Sequence, residues 1–257
     1  MKKIQLVTTT FLMATLLISG VTLASADEVR DVTTTGQIEF TPNTDEESVV
    51  IPPETDPDVE IDPEVPGTTG PLSLVKAVTM DFGSQVISNQ DQTYNMVAET
   101  ANLADGSGQV PYVSFAQVQD TRGSNAGWVL SVSISDFSST TQNNILTGAQ
   151  ISLNDPTIQY AGSNTTNAPS SHTSGLQLIP NAGSVPVMTA ETGQGAGVSS
   201  VVWGNQADLN TQAADNSIEV IENSAIQLFV PGSTAKDATT YTSTLSWELT
   251  STPGADA

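Results

Sequence analysis

The segment Gly127-Trp-Val-Leu-Ser-Val-Ser-Ile134 sets apolar side chains at every second position. In a strand, residues i and i+2 share a face, so Trp128 and Leu130 stand side by side while Val129 points the other way. The same Trp-x-Leu order returns in Leu245-Ser-Trp-Glu-Leu-Thr250, where it joins Trp247 to Leu249 and turns Glu248 to the opposite face. Around these two motifs, short alternating or β-branched runs are separated by clusters of Gly, Asn, Ser, Asp and Pro, the pattern of an all-β chain. Strands are expected over Leu72–Phe82, Thr93–Val97, Val110–Gln119, Gly127–Ile134, Gln150–Leu153, Gly175–Ile179, Val185–Thr189, Val198–Trp203, Ala225–Val230 and Thr240–Thr250. Only Gln206–Asn223 leans toward a helix, and its Asp, Asn and Thr content weakens that reading. The fold class expected is an all-β, immunoglobulin-like β-sandwich preceded by an acidic, Pro-rich linker.

The chain divides by composition. Met1-Lys2-Lys3, a largely apolar run from Ile4 to Leu23 and Ala24-Ser25-Ala26 read as a signal peptide over residues 1–26, so the protein is expected to be secreted. Residues 27–41 contain Gly36-Gln-Ile-Glu-Phe40-Thr41, which alternates like one strand. Residues 42–70 form the linker. Between Asp27 and Pro66 there are 13 acidic residues and one base, and seven of the chain's 14 prolines fall between Pro42 and Pro71, so a stiff, solvated spacer is expected. The remaining residues, 71–257, are long enough to bury a core without cross-links.

Charge and residue inventory exclude several functions. Of 257 residues, 28 are Asp or Glu and 6 are Lys or Arg, for a net charge of −22, which repels phosphate backbones and makes nucleic acid an unsuitable partner. The absence of cysteine removes disulfides, thiolate metal sites and Cys nucleophiles, and one histidine leaves little for zinc or triad chemistry. Asp56, Asp58, Glu60 and Asp62 lack the turn glycine and terminal glutamate of a calcium loop. Asp81, Asp91, Glu99, Asp105, Asp120, Asp136 and Glu248 offer carboxylates but no recognisable glycosidase pair. His172 sits in a Ser/Thr/Asn loop without a nucleophile elbow, and Gly193–Gly197 lacks the lysine of a phosphate loop and reads as a turn. No enzyme, cofactor or metal site is expected.

Large aromatics are mostly buried, so the residues by themselves favour indoles that fill the sandwich core over an exposed recognition face. A wider resemblance bears on this choice. The two Trp-x-Leu motifs, with Gly70-Pro-Leu-Ser-Leu74, Met80-Asp-Phe-Gly83, Val118–Trp128, Leu146-Thr-Gly-Ala-Gln-Ile151, Gly193-Gln-Gly-Ala-Gly197 and Val230-Pro-Gly-Ser-Thr-Ala-Lys236, resemble the WxL-domain surface proteins of Gram-positive bacteria, particularly the short members. The resemblance implies a cell-surface protein held to the cell wall non-covalently, with peptidoglycan as ligand. It also implies a multi-protein surface complex containing other WxL proteins and a membrane-anchored WxL-interacting protein, and adhesion to host extracellular matrix. The alternative it leaves open is an assembly subunit that docks a partner or a matrix ligand without touching the wall. Leu249–Ala257 contains no covalent sorting motif, in keeping with non-covalent attachment. Since wall polymers are anionic too, attraction is expected to come from short-range contacts, bridging cations or a protein partner. The ligand-binding residues expected are Trp128, Leu130, Trp247 and Leu249, on neighbouring strands that are packed on one side and share one face.

Overall fold

The computed structural model describes residues 35–42, 50–62 and 67–251. The chain forms two compact units, residues 1–39 and 40–257. The signal-peptide reading of residues 1–26 falls outside the described residues. Residues 35–42, where one strand was expected, belong to no ladder.

The second unit is built from β1 (Leu72–Lys76), β2 (Gln92–Val97), β3 (Glu99–Asn102), β4 (Gln109–Tyr112), β5 (Ser114–Asp120), β6 (Trp128–Ile134), β7 (Gln150–Leu153), β8 (Thr157–Tyr160), β9 (Ser170–Ser171), β10 (Leu176–Leu178), β11 (Val185–Ala190), β12 (Gly197–Trp203), α1 (Gln206–Ala214), β13 (Glu222–Val230) and β14 (Leu245–Ser251). Three four-stranded sheets run in the orders β1-β5-β12-β8, β10-β7-β13-β2 and β14-β6-β11-β9, and β3 and β4 form a separate hairpin. Every pairing is antiparallel. The class is therefore all-β, in keeping with a sandwich.

Two cores hold these sheets. The larger collects Trp128, Leu130, Val132, Ile151, Leu153, Met188, Val201, Trp203 and Ile226 from all three sheets, with Met96. The smaller gathers Val50, Ile61, Val75, Ala101, Tyr112, Phe115, Val202 and Leu209. The β1-β5-β12-β8 sheet separates them. Because strand side chains alternate, Ala116 and Val118 of β5 enter the large core while Phe115 enters the small one. On β12, Val201 and Trp203 likewise face the large core and Val202 the small. Such two-sided burial explains the nearly continuous burial of β5, where six of seven residues are covered.

The helix within Gln206–Asn223 covers nine residues. Asn205 caps it, its side chain accepting from Ala207 N at 2.9 Å and Asp208 N at 3.3 Å, and Leu209 inserts into the small core. The run Val110–Gln119, expected as one strand, is two. Its break is at Val113, whose N–H donates to the buried Gln206 Oε1 at 3.2 Å instead of to a ladder partner.

Residues 50–62 depart from the expected solvated spacer. They have almost no regular structure, yet Val50, Pro53 and Ile61 are buried against the domain. Ile61 bridges Leu103, and Asp62 N donates to Asn102 O at 2.9 Å. Proline and charge do prevent a ladder here, but three apolar side chains and external hydrogen-bond partners suffice to hold the segment in place.

Candidate functional site

β6 is an interior strand of its sheet and β14 is the edge strand beside it. Their register sets Leu130 opposite Leu249, Val132 opposite Trp247 and Trp128 opposite Ser251. All four expected site residues therefore lie on one face of two paired strands, and that face looks into the large core. Burial then divides them. Trp128 and Leu130 have no exposed surface, whereas Trp247 and Leu249 are half-buried because, among the described residues, β14 has a neighbouring strand on one flank only. Ser246, Glu248 and Thr250 alternate outward into solvent.

The Trp128 indole is held at its polar end as well. Its Nε1–H donates to the Gly195 carbonyl at 3.1 Å, satisfying the one donor that a buried indole brings. Gly195 has φ +74°, and a Cβ there would lie 2.6 Å from Trp128 Nε1, so only glycine permits this approach. The Gly193–Gly197 turn is thus the lid of the Trp128 pocket. Behind it, Arg122 grips Asp120 through two bonds, Nε to Oδ1 at 3.0 Å and Nη2 to Oδ2 at 2.8 Å, and donates to Gly127 O at 2.8 Å. This mostly buried pair ties the 121–127 loop to the start of β6.

The third tryptophan has a different partner. Trp203 Nε1–H donates to His172 Nε2 at 3.0 Å, with the rings 5.9 Å apart and 26° from parallel. His172 Nδ1 lies 2.7 Å from Thr173 O, an acceptor only, so the proton sits on Nδ1 and Nε2 is free to accept. Burial pushes the imidazole below its ordinary value, against the opposing pull of the Thr173 bond, and keeps it neutral. The role of His172 is therefore to satisfy a buried indole.

A feature without any warning in the sequence lies on the far face of the β1-β5-β12-β8 sheet. Gln117, Ser200 and Gln159 stand directly opposite one another across β5, β12 and β8. Gln117 accepts from Ile51 N at 2.8 Å and donates to Ile51 O at 2.6 Å and to Ser200 Oγ at 2.9 Å. Gln159 treats Glu54 the same way, accepting at 2.7 Å and donating at 2.6 Å. Each side-chain amide thus makes the two-point bond of a ladder neighbour. Between them, Tyr112 Oη donates to Pro53 O at 2.6 Å. Burial first, then the charge of Asp58, push this phenol up to about 12, so it remains a donor. Gln212 repeats the device on Glu222, accepting from its N–H and donating to its carbonyl, both at 2.9 Å. A groove of about 500 Å³ runs beside the held segment, lined by Ile51, Glu54, Gln159, Tyr160 and Val198 among others.

Among the described residues, no group of three or more His, Asp or Glu could hold a metal ion, and no helix is long and apolar enough to cross a membrane.

The family of WxL domains, described as surface cell wall-binding, matches residues 27–253, and the chain belongs to that family. It is a cell-wall-binding family rather than an enzymatic one, which places this chain among cell-wall-binding proteins of the cell surface. No curated protein and no solved structure shows significant similarity to it.

Proposed function

We propose that this protein is secreted through residues 1–26 and binds peptidoglycan non-covalently through its WxL domain, with the partly exposed Trp247 and Leu249 as the contact surface. Trp128 and Leu130 act from beneath, as the packing that fixes the position of β14. One observation carries the reading: within a cell-wall-binding family, one of the two Trp-x-Leu motifs leaves its indole and isobutyl group only partly covered, on an edge strand. An amphipathic indole on a rigid strand suits a sugar–peptide polymer, offering an apolar face with little conformational entropy to lose. The buried Trp128 also supports the immunoglobulin-like type of sandwich.

Purified full-length protein mixed with protease-treated, partner-free sacculi provides the test. Wild type should sediment with the sacculi, and Trp247→Ala should lose about tenfold or more of its retention while keeping a cooperative melt. Equal retention of the two proteins would move the site elsewhere.

A second reading rests on the same edge. Among the described residues β14 pairs with β6 alone, so it stands at the edge of its sheet, the position at which a partner's strand can be added. In that reading the protein is an assembly subunit that docks other WxL proteins, a membrane-anchored WxL-interacting protein or a host-matrix ligand, and reaches the wall through them. Wild type that ignores bare sacculi but sediments once such a partner is restored selects it.

A further inference from the structure

The amide row on the outer sheet face is spaced to receive one kind of ligand. Pro52 and Pro53 fix their own φ, and each proline confines the residue before it to extended backbone, so Ile51-Pro-Pro is constrained toward polyproline II. Three residues of that helix rise about 9.3 Å. Two inter-strand spacings are about 9.6 Å. The clamped residues are Ile51 and Glu54, three apart, and the clamping residues are on β5 and β8, two strands apart. The segment accordingly crosses the strands with its repeat matched to theirs. The two residues between the clamps are prolines, which have no N–H to satisfy, and the Pro53 carbonyl is taken by Tyr112. Pro53 is buried and Val50 is 1% exposed, which supplies the apolar anchors.

We propose that the outer face of β5, β12 and β8 is a recognition site for an extended, proline-containing peptide, and that the Val50–Glu54 segment of a second copy fills it, joining two copies by segment exchange. This goes beyond wall binding and does not depend on it. Recognition reads the main chain at Ile51 and Glu54, so the bonds made within one chain are reproduced without change between two. The hinge is Thr55–Val59, a turn closed by Val59 N donating to Thr55 Oγ1 at 3.0 Å. Asp56, Pro57 and Asp58 within it are exposed, and Glu54, Asp56, Asp58 and Glu60 place like charges at every second position. Straightening the turn separates those charges, and six residues from Thr55 give about 20 Å of reach. Beyond the hinge the chain stays anchored to its own domain, where Ala104 N donates to Glu60 O at 3.1 Å and Ile61 is buried. Within one chain the tethered segment enjoys an effective concentration of about millimolar, so exchange is expected where copies are crowded or where the internal fit is weakened.

Complementation between two full-length variants tests this. Gln117→Leu/Gln159→Leu spoils the receiving face and leaves the segment intact; Pro53→Asp spoils the segment and leaves the face intact. Each alone should be monomeric by light scattering, and an equimolar mixture should contain at least tenfold more 1:1 dimer than either variant alone. A synthetic peptide of residues 50–55 in excess should disperse that dimer. A mixture of two cooperatively melting variants that stays monomeric overturns the proposal, as does a dimer indifferent to the peptide. If either variant fails to melt cooperatively, Gln159→Leu or Pro53→Gly takes its place, with the same outcomes decisive.

Discussion

The two Trp-x-Leu motifs have the same chemistry and different environments. Trp128 and Leu130 sit on an interior strand and have no exposed surface, while Trp247 and Leu249, on the strand beside it and on the same face, remain half-buried. The tripeptide does not decide this; the position of the strand in its sheet does. An interior strand is covered along both flanks and above by the opposing sheets, and an edge strand loses one flank. Under the function proposed above, the duplicated motif divides its labour, with one copy fixing the platform and the other meeting what lies outside.

The sharpest way to break the comparison is to truncate each indole in turn. Trp128→Ala should destabilise the protein by about 3–5 kcal/mol, from lost burial, the cavity left behind and the orphaned Gly195 carbonyl, as read by urea unfolding. Any loss of wall retention in that variant should follow its unfolding. Trp247→Ala should cost only about 1–2 kcal/mol in the same measurement, because part of that indole already faces water. If the two variants prove equally unstable, the partial exposure of Trp247 carries no meaning and both motifs are core.

A smaller effect sharpens the comparison through the third tryptophan. The Trp128 N–H meets a backbone carbonyl, which does not titrate, while the Trp203 N–H meets His172. The folded-state value of His172 lies below 6.5, so between the two values the unfolded chain binds more protons than the native one. The stabilisation is complete above the unfolded value and is lost as pH falls through the folded value. Urea midpoints should therefore decrease from pH 7 to pH 5 in wild type and stay nearly level in His172→Gln. Asp105, Asp215 and Asp237 are held below the usual 3.8, chiefly by hydrogen bonds from Ser107, Ser217 and Asn143 respectively, and enter only at lower pH. An equal slope in both proteins would show that His172 is not the titrating group.

Legibility followed the range of the interactions. The expected Gly127–Ile134 became β6 and Gln150–Leu153 became β7, because alternation is local and each strand carries its own pattern. The shared face of the four site residues follows from the same two-residue period once β6 and β14 pair. Their unequal burial does not, since nothing near Trp247 in the sequence says which strand lies at the edge. β8 has a weak local signal because Thr157-Ile-Gln-Tyr160 alternates over four residues only; its partner, β12, lies about forty residues away in sequence. The docking of residues 50–56 was illegible for a related reason. Its apolar anchors, Val50 and Pro53, follow no period, and the groups that hold it, Gln117, Gln159 and Tyr112, are 59 to 105 residues distant. Glutamine acting as a substitute ladder neighbour leaves no mark in a pattern of polar and apolar residues.

The sulfur of the described residues has a consequence of its own. With no cysteine in the chain, neither reductants nor thiol-directed oxidants have a covalent bond to make or break in holding the fold together. Met96 and Met188 lie in the large core with no exposed surface, shielded from peroxide. Met80, packed at the margin of that core, is the one described methionine that an oxidant can reach while the protein is folded. For the described methionines, oxidation is thus a matter of access, set by the same packing that buries Trp128.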